Sequence, residues 1–155
     1  MRHVFFGLVV LGLTLSPMGQ VKADYTFTAF DVPDTTLTYA LGINDSGQIV
    51  GYTYTVAGYQ YHGFLLDVDG TYTTLDVAPG SVDGINDSGQ IVGSYTDQGG
   101  AETHGYVLNV DGTYTTIAPP DSTLSNAYGI NGSGQIVGYY NDAGFQHHGF
   151  LATPQ

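Results

Sequence analysis

Gly42-Ile-Asn-Asp-Ser-Gly-Gln-Ile-Val-Gly51 is written again, unchanged, from Gly84 to Gly93, and once more from Gly129 to Gly138 with Gly132 in place of the aspartate. The copies are offset by 42 and 45 residues. A period of roughly 40–45 residues is the sequence mark of a β-propeller blade or a comparable repeat. Working outward from the second copy, Ser81 to Asn86 reads as a strand, Asp87-Ser88-Gly89 as a turn and Gln90 to Tyr95 as a second strand. Thr96 to Thr103 reads as a polar loop, His104 to Val110 as a third strand and Thr113 to Ile117 as a fourth. Asp111-Gly112 between the last two is a strong hairpin signal, expected to place both residues at positive φ. Asp69-Gly70 repeats it, and Thr-Tyr-Thr-Thr follows identically at 71–74 and 113–116.

The expected fold class is therefore all-β: three four-stranded antiparallel repeats of about 42–45 residues, arranged as β-propeller-type blades. A β-trefoil-like pseudo-threefold barrel is the alternative with the same repeat count. The units fall at about 38–79, 80–120 and 121–155. Residues 25–34 resemble the fourth strand and exit of a unit, as in Tyr72 to Pro79, while the last unit stops after a third strand at Gly149 to Ala152. A strand over 24–37 is thus expected to complete the last unit, in a ring or in a chain of copies.

Met1-Arg2-His3, the apolar run Val4 to Leu15 and Val21-Lys22-Ala23 make the pattern of a secretory signal peptide over 1–23, with a single repeat domain over 24–155. The expected location is secreted, extracellular or at the cell surface, with no membrane insertion after cleavage. The two basic residues, Arg2 and Lys22, both lie in that leader. Residues 24–155 keep all 14 acidic residues, so their formal charge is −14 with neutral histidine. Such a surface repels phosphate and argues against nucleic acid as a partner. There is no cysteine, so stability rests on core burial and β pairing without disulfides.

The strings Ile-Asn-Asp-Ser-Gly-Gln-Ile-Val-Gly, His-Gly-Phe-Leu and Asp-Gly-Thr-Tyr-Thr-Thr-Leu together resemble the HAF repeat of bacterial extracellular proteins, over nearly all of 24–155. The resemblance implies a secreted, propeller-like repeat protein and carries no established activity.

His62, His104 and His148 hold one position in the three units and are expected to serve the repeat structurally, capping a strand start and bonding a neighbouring unit. Convergence of the three on an axis to bind a metal is the sharper alternative. His147 reads as exposed. Asp45, Asp87, Asp67, Asp69 and Asp111 sit on turns and are candidate Ca²⁺ ligands, because hard cations take carboxylate and carbonyl oxygens there. Turns demand Asn, Asp and Gly in any case, and no EF-hand spacing is present. Asn44, Asn86 and Asn131 each begin an Asn-x-Ser sequon and are candidate glycosylation sites. The loops between second and third strands vary most, and Tyr54, Tyr59, Tyr61 and Phe145 in or beside them are candidate contacts for glycans or another subunit.

A catalytic reading finds little. Residues 24–155 contain no Lys, Arg or Cys, one glutamate, Glu102, and no Gly-x-Ser-x-Gly elbow. The aspartates alone leave a carboxylate pair for glycoside hydrolysis open. The expectation is a non-enzymatic structural module that associates with itself into a ring or an extracellular fibre. A carbohydrate-binding, lectin-like module using the aromatic loops is the alternative.

Overall fold

The structure is a computed structural model, and it describes residues 25–55, 60–76, 80–97, 99–100 and 102–155. The leader expected at 1–23, and Tyr59, lie outside them. Eleven strands are present among the described residues, and no helix. β1 (Leu37–Ile43), β2 (Ile49–Thr55), β3 (Gln60–Leu66) and β4 (Tyr72–Leu75) form a four-stranded antiparallel sheet in chain order. β5 (Gly80–Ile85), β6 (Ile91–Thr96), β7 (Thr103–Leu108) and β8 (Tyr114–Ile117) repeat that pairing. β9 (Leu124–Ile130), β10 (Ile136–Asn141) and β11 (His147–Ala152) repeat its first three strands. A single parallel bridge, Thr103 to Leu124, joins the last two sets into one seven-stranded sheet. Neither sheet closes on itself.

The three sets are called units 1, 2 and 3. Ile, Val, Tyr and Thr fill their strands, the residue types that suit a pleated, half-buried surface. In each unit the first pair carries a register shift, leaving Leu41, Asp83 and Tyr128 as extra residues. Such bulges add twist to the strand that carries them.

The turn after the first strand closes the same way each time. Asn44, Asn86 and Asn131 donate their backbone N–H to Gln48, Gln90 and Gln135, and their carbonyls accept from Gly47, Gly89 and Gly134. Those glycines sit at φ of 88°, 76° and 76°, a region that costs a residue with a Cβ. The Asp-Gly hairpins differ from the expectation. Only Gly70 and Gly112 have positive φ, and Asp69 and Asp111 do not. Asp67 N–H to the Thr71 carbonyl closes a loop of Val68–Gly70, and Asp69 Oδ1 accepts the Thr71 N–H at 2.9 Å.

Two cores lie between units. Val50 of unit 1 packs with Val82, Ile85, Ile91 and Tyr106 of unit 2, flanked by Leu65 and Leu75. Val92 and Val107 of unit 2 pack with Ala127 and Ile136 of unit 3, flanked by Ile117 and Phe150. Each unit therefore has a leading face (Val50 and Leu65; Val92 and Val107) and a trailing face (Val82, Ile85 and Ile91; Ala127, Ile130 and Ile136). The close approach is possible because the facing strands carry glycine. A Cβ on Gly42 would stand 3.0 Å from the Gly84 Cα, and one on Gly84 would stand 2.9 Å from the Tyr128 carbonyl oxygen.

The strand expected over 24–37 is not formed. The chain is irregular from Tyr25 until β1 begins at Leu37, with Phe30 packed edge-on to Phe64 of β3. Its connection into β1 is nevertheless that of a preceding unit. Phe30 to Leu37 repeats the length of Ile117 to Leu124, and both carry Pro-Asp, at Pro33-Asp34 and Pro120-Asp121. Asp34 and Asp121 share a left-handed backbone, at φ of 61° and 60°. Thr36 bonds the Tyr54 carbonyl through its N–H and its hydroxyl, as Thr123 bonds that of Asn141.

Candidate functional site: unit faces and the asparagine ladder

The repeated asparagine reaches across units. Asn44 Nδ2 donates to the Asn86 carbonyl at 3.2 Å, and Asn86 Nδ2 donates to the Asn131 carbonyl at 3.1 Å. Each Nδ2 also donates to the glutamine of its own turn, and each Oδ1 accepts that glutamine's backbone N–H at 2.9 Å. Asn44 and Asn86 are buried. Their amides thus do turn and inter-unit work at once, and buried amides left unpaired would cost ~1–3 kcal/mol each. Nδ2, the atom that would carry a glycan at each sequon, is hydrogen-bonded in all three asparagines. Beside the ladder, Asp45 N–H donates to Asp87 Oδ1 at 2.8 Å.

The ladder runs in one direction and is open at both ends. Asn131 Nδ2 has its own Gln135 as partner, and the Asn44 carbonyl has its own Gly47. The faces are open at the same ends. On the trailing side, Ile85 is 6% exposed where its equivalent Ile43 is 66% exposed. On the leading side, Val92 is fully buried where Val137 is 50% exposed, and Leu151 is 62% exposed against 7% for Val107. β11 also pairs β10 alone, whereas β3 and β7 each carry a fourth strand. Phe64 packs edge-on to Tyr72 of β4 and Tyr106 to Tyr114 of β8, while the residue in the matching register of the N-terminal segment, Phe27, stands 92% exposed. A groove lined by Ile117, Pro119, Pro120, Phe150 and Ala152 runs along the unpaired side of β11.

His62, His104 and His148 lie inside strands, and His104 and His148 find carboxylate partners in their own unit. His148 Nε2 is 3.2 Å from Asp142, and His104 Nε2 is 3.5 Å from Asp97 and 3.6 Å from Glu102. For His104 and His148 the hairpin before β7 or β11 supplies these carboxylates from within the unit. Asp142 is held below the usual carboxylate range by the Gln146 N–H and then by His148. His147 is exposed against Tyr139. Asp97, Glu102 and His104 are the one cluster of metal-capable groups among the described residues. Sequence reasoning missed it, although acids at 97 and 102 flanking a hairpin just ahead of His104 are a readable signal.

No three of the carboxylates expected to bind Ca²⁺ gather within ligating reach of one another among the described residues. Asp69 and Asp111 accept the N–H of Thr71 and Thr113, and the bonds from those threonines lower their pKa. Asp67 accepts the Val68 N–H, and Asp87 accepts that of Asp45. Asp45, Asp67 and Asp69 lie on turns of unit 1, and Asp87 and Asp111 on turns of unit 2. Tyr54 and Tyr61 are a cross-strand pair on β2 and β3 rather than loop residues, since the hairpin extends further than its polar sequence implies. They join Tyr52 and Tyr39 in one aromatic cluster, with Tyr39 stacked on Tyr52 at 4.7 Å and Tyr61 tilted against Tyr54 at 5.0 Å. Phe145 is exposed at a turn and takes φ of 61°, the position that glycine fills after Asn44, Asn86 and Asn131.

Buried polar groups elsewhere serve the unit contacts. Fully buried Ser125 accepts the Gly105 N–H and donates to the Ile117 carbonyl, tying unit 3 to unit 2. Asp83 is bonded by the Ser81 hydroxyl, and burial pushes its pKa up against that bond. Burial likewise pushes the Tyr106 phenol up, with Tyr114 and Asp83 adding to it.

No protein-family model matches this chain, and no curated protein matches it.

Proposed function

We propose that residues 24–155 are an exported, non-enzymatic structural module that assembles with copies of itself, each copy lending its N-terminal segment as the fourth strand of another copy's unit 3. The carrying observation is the matched connector. Phe30 to Leu37 has the length, the left-handed Pro-Asp turn and the threonine bonds of Ile117 to Leu124, yet no strand precedes it among the described residues. In the register of β7 and β8, Phe27 would face Ala152 and Phe30 would face Gly149, filling the groove beside β11. Adding a strand to an open edge is a common mode of peptide recognition, and an open edge otherwise invites unspecific pairing. Units that stack face to face without either sheet closing favour propeller-type blades over a trefoil barrel, and the HAF-type resemblance fits such a module.

Deleting residues 24–34 is expected to abolish assembly while leaving a folded chain, read by light scattering and circular dichroism. Unchanged assembly of that truncation would sink the strand-lending idea. A glycan-binding reading rests on the cluster of Tyr39, Tyr52, Tyr54 and Tyr61, whose rings suit stacking on sugars. It predicts that Tyr61→Ala weakens binding on a glycan array without unfolding the chain, and an array without hits counts against it.

A further inference from the structure

We propose that the leading face of unit 3 docks onto the trailing face of unit 1 of a second copy, head to tail, through the same contact that joins unit 1 to unit 2 and unit 2 to unit 3. This rests on the self-association reading and adds to it which surfaces meet and in what polarity. The occupant is a second copy because the two unfilled faces of one chain are the two halves of an interface that the chain already builds twice. Val137 and Leu151 stand where Val92 and Val107 stand, and Ala40, Ile43 and Ile49 stand where Ala127, Ile130 and Ile136 stand. Val137, Leu151, Ala40 and Ile43 are exposed in the single chain, so its own third unit does not cover its first.

The polar groups agree with this polarity. The ladder ends in a donor, Asn131 Nδ2, and begins with an acceptor, the Asn44 carbonyl; docking sets one on the other as Asn86 Nδ2 is set on Asn131. The neighbouring bond is preserved too. Within the chain a backbone N–H of one unit donates to the aspartate of the next, Asp45 to Asp87. At the junction the donor is the N–H of Gly132 and the acceptor is the Asp45 carboxylate, so the one substitution in the repeated motif costs nothing there. Between units 2 and 3 that bond is absent, since Gly132 offers no carboxylate. The lent strand arrives at the same junction, because Phe27 to Phe30 leads through its connector directly into unit 1 of the copy that docks. A head-to-tail contact of this kind uses two different surfaces, and it gives a ring if the rotation closes and a fibre if it does not.

The test uses two full-length mature variants, Val137→Glu and Ile43→Glu, each placing a charge on one exposed face. Each alone is expected to stay folded by circular dichroism and to lose assembly. Mixed in equal amounts they are expected to form a capped heterodimer, since each keeps the face that the other lacks. Assembly of either variant as in the wild type would overturn the docking while leaving strand lending intact. Two folded variants that stay single when mixed would overturn it as well, because a head-to-tail contact leaves each variant the face that the other lacks. A wild type that is a single chain at every concentration would overturn the self-association reading together with this one.

Discussion

Unit 2 and units 1 and 3 are built from nearly the same residues and meet different surroundings. Ile85 and Ile43 occupy one position in an unchanged ten-residue motif, and one is buried where the other is 66% exposed. The difference teaches that burial here belongs to the contact between units and not to the unit. A unit is one twisted layer with an apolar surface on both sides, so it is covered only when it has a neighbour on each. The middle unit has two, and the outer units have one each.

Charging the buried and the exposed valine should separate these cases most sharply. Val92→Asp places an unpaired charge in a closed core and is expected to prevent folding, at a cost of several kcal/mol. Val137→Asp, at the same position one unit later, should leave the unfolding free energy of the isolated chain within about 0.5 kcal/mol. Urea titration of both variants checks this, and an equal loss would break the comparison.

The ladder gives a smaller contrast of the same kind. Asn86→Ala strips a buried turn and an inter-unit bond and should cost about 2–3 kcal/mol. Asn131→Ala removes an exposed turn contact and should cost about 1 kcal/mol or less in the single chain. Thermal unfolding of the two ranks them.

At Phe145 the outer unit breaks the local rule that the other turns keep. Phe145→Gly should stabilise the chain by about 1 kcal/mol by removing a left-handed conformation from a residue with a Cβ. A loss of stability on urea titration would mean that the exposed ring makes a contact that offsets the strain.

The smallest expected effect concerns pH. Asp83 has its pKa raised by burial, so the folded state holds its proton more tightly than the unfolded state. Its contribution to stability is full below the ordinary aspartate value near 3.8 and is lost as pH rises through the raised value. Asp69, Asp111 and Asp142, all lowered, act in the opposite sense: theirs is present above about 3.8 and is lost as pH falls through their lowered values. Asp83→Asn should therefore gain on the wild type as pH rises from 4 to 7, followed by thermal unfolding. A difference that does not change with pH would contradict the assignment.

Much of this arrangement was readable before folding. The Asn-Asp-Ser-Gly and Asp-Gly turns, with Ile, Val, Tyr and Thr between them, located every strand of unit 2 to within about two residues. The likeness of residues 25–34 to the fourth strand and exit of a unit was legible as sequence, but the strand itself is not formed, and what the fold repeats is the connector from Phe30 to Leu37. What stayed hidden depends on neighbours. Asn44 read as a turn residue and a sequon, because an amide spanning two units has no signature within one. His104 and Asp97 lie seven residues apart, and only the length of the β6–β7 hairpin brings them together. The exposure of Ile43 and Val137 was illegible for the plainest reason: their local sequence is that of buried residues, and only the absence of an adjacent unit distinguishes them.

The central claim is that the open faces and the open strand edge are made to be covered by further copies. Sedimentation equilibrium of residues 24–155 over a range of concentrations tests it most directly. The mass is expected to grow beyond one chain as concentration rises, with the growth lost when residues 24–34 are removed. A mass of one chain at every concentration would contradict it.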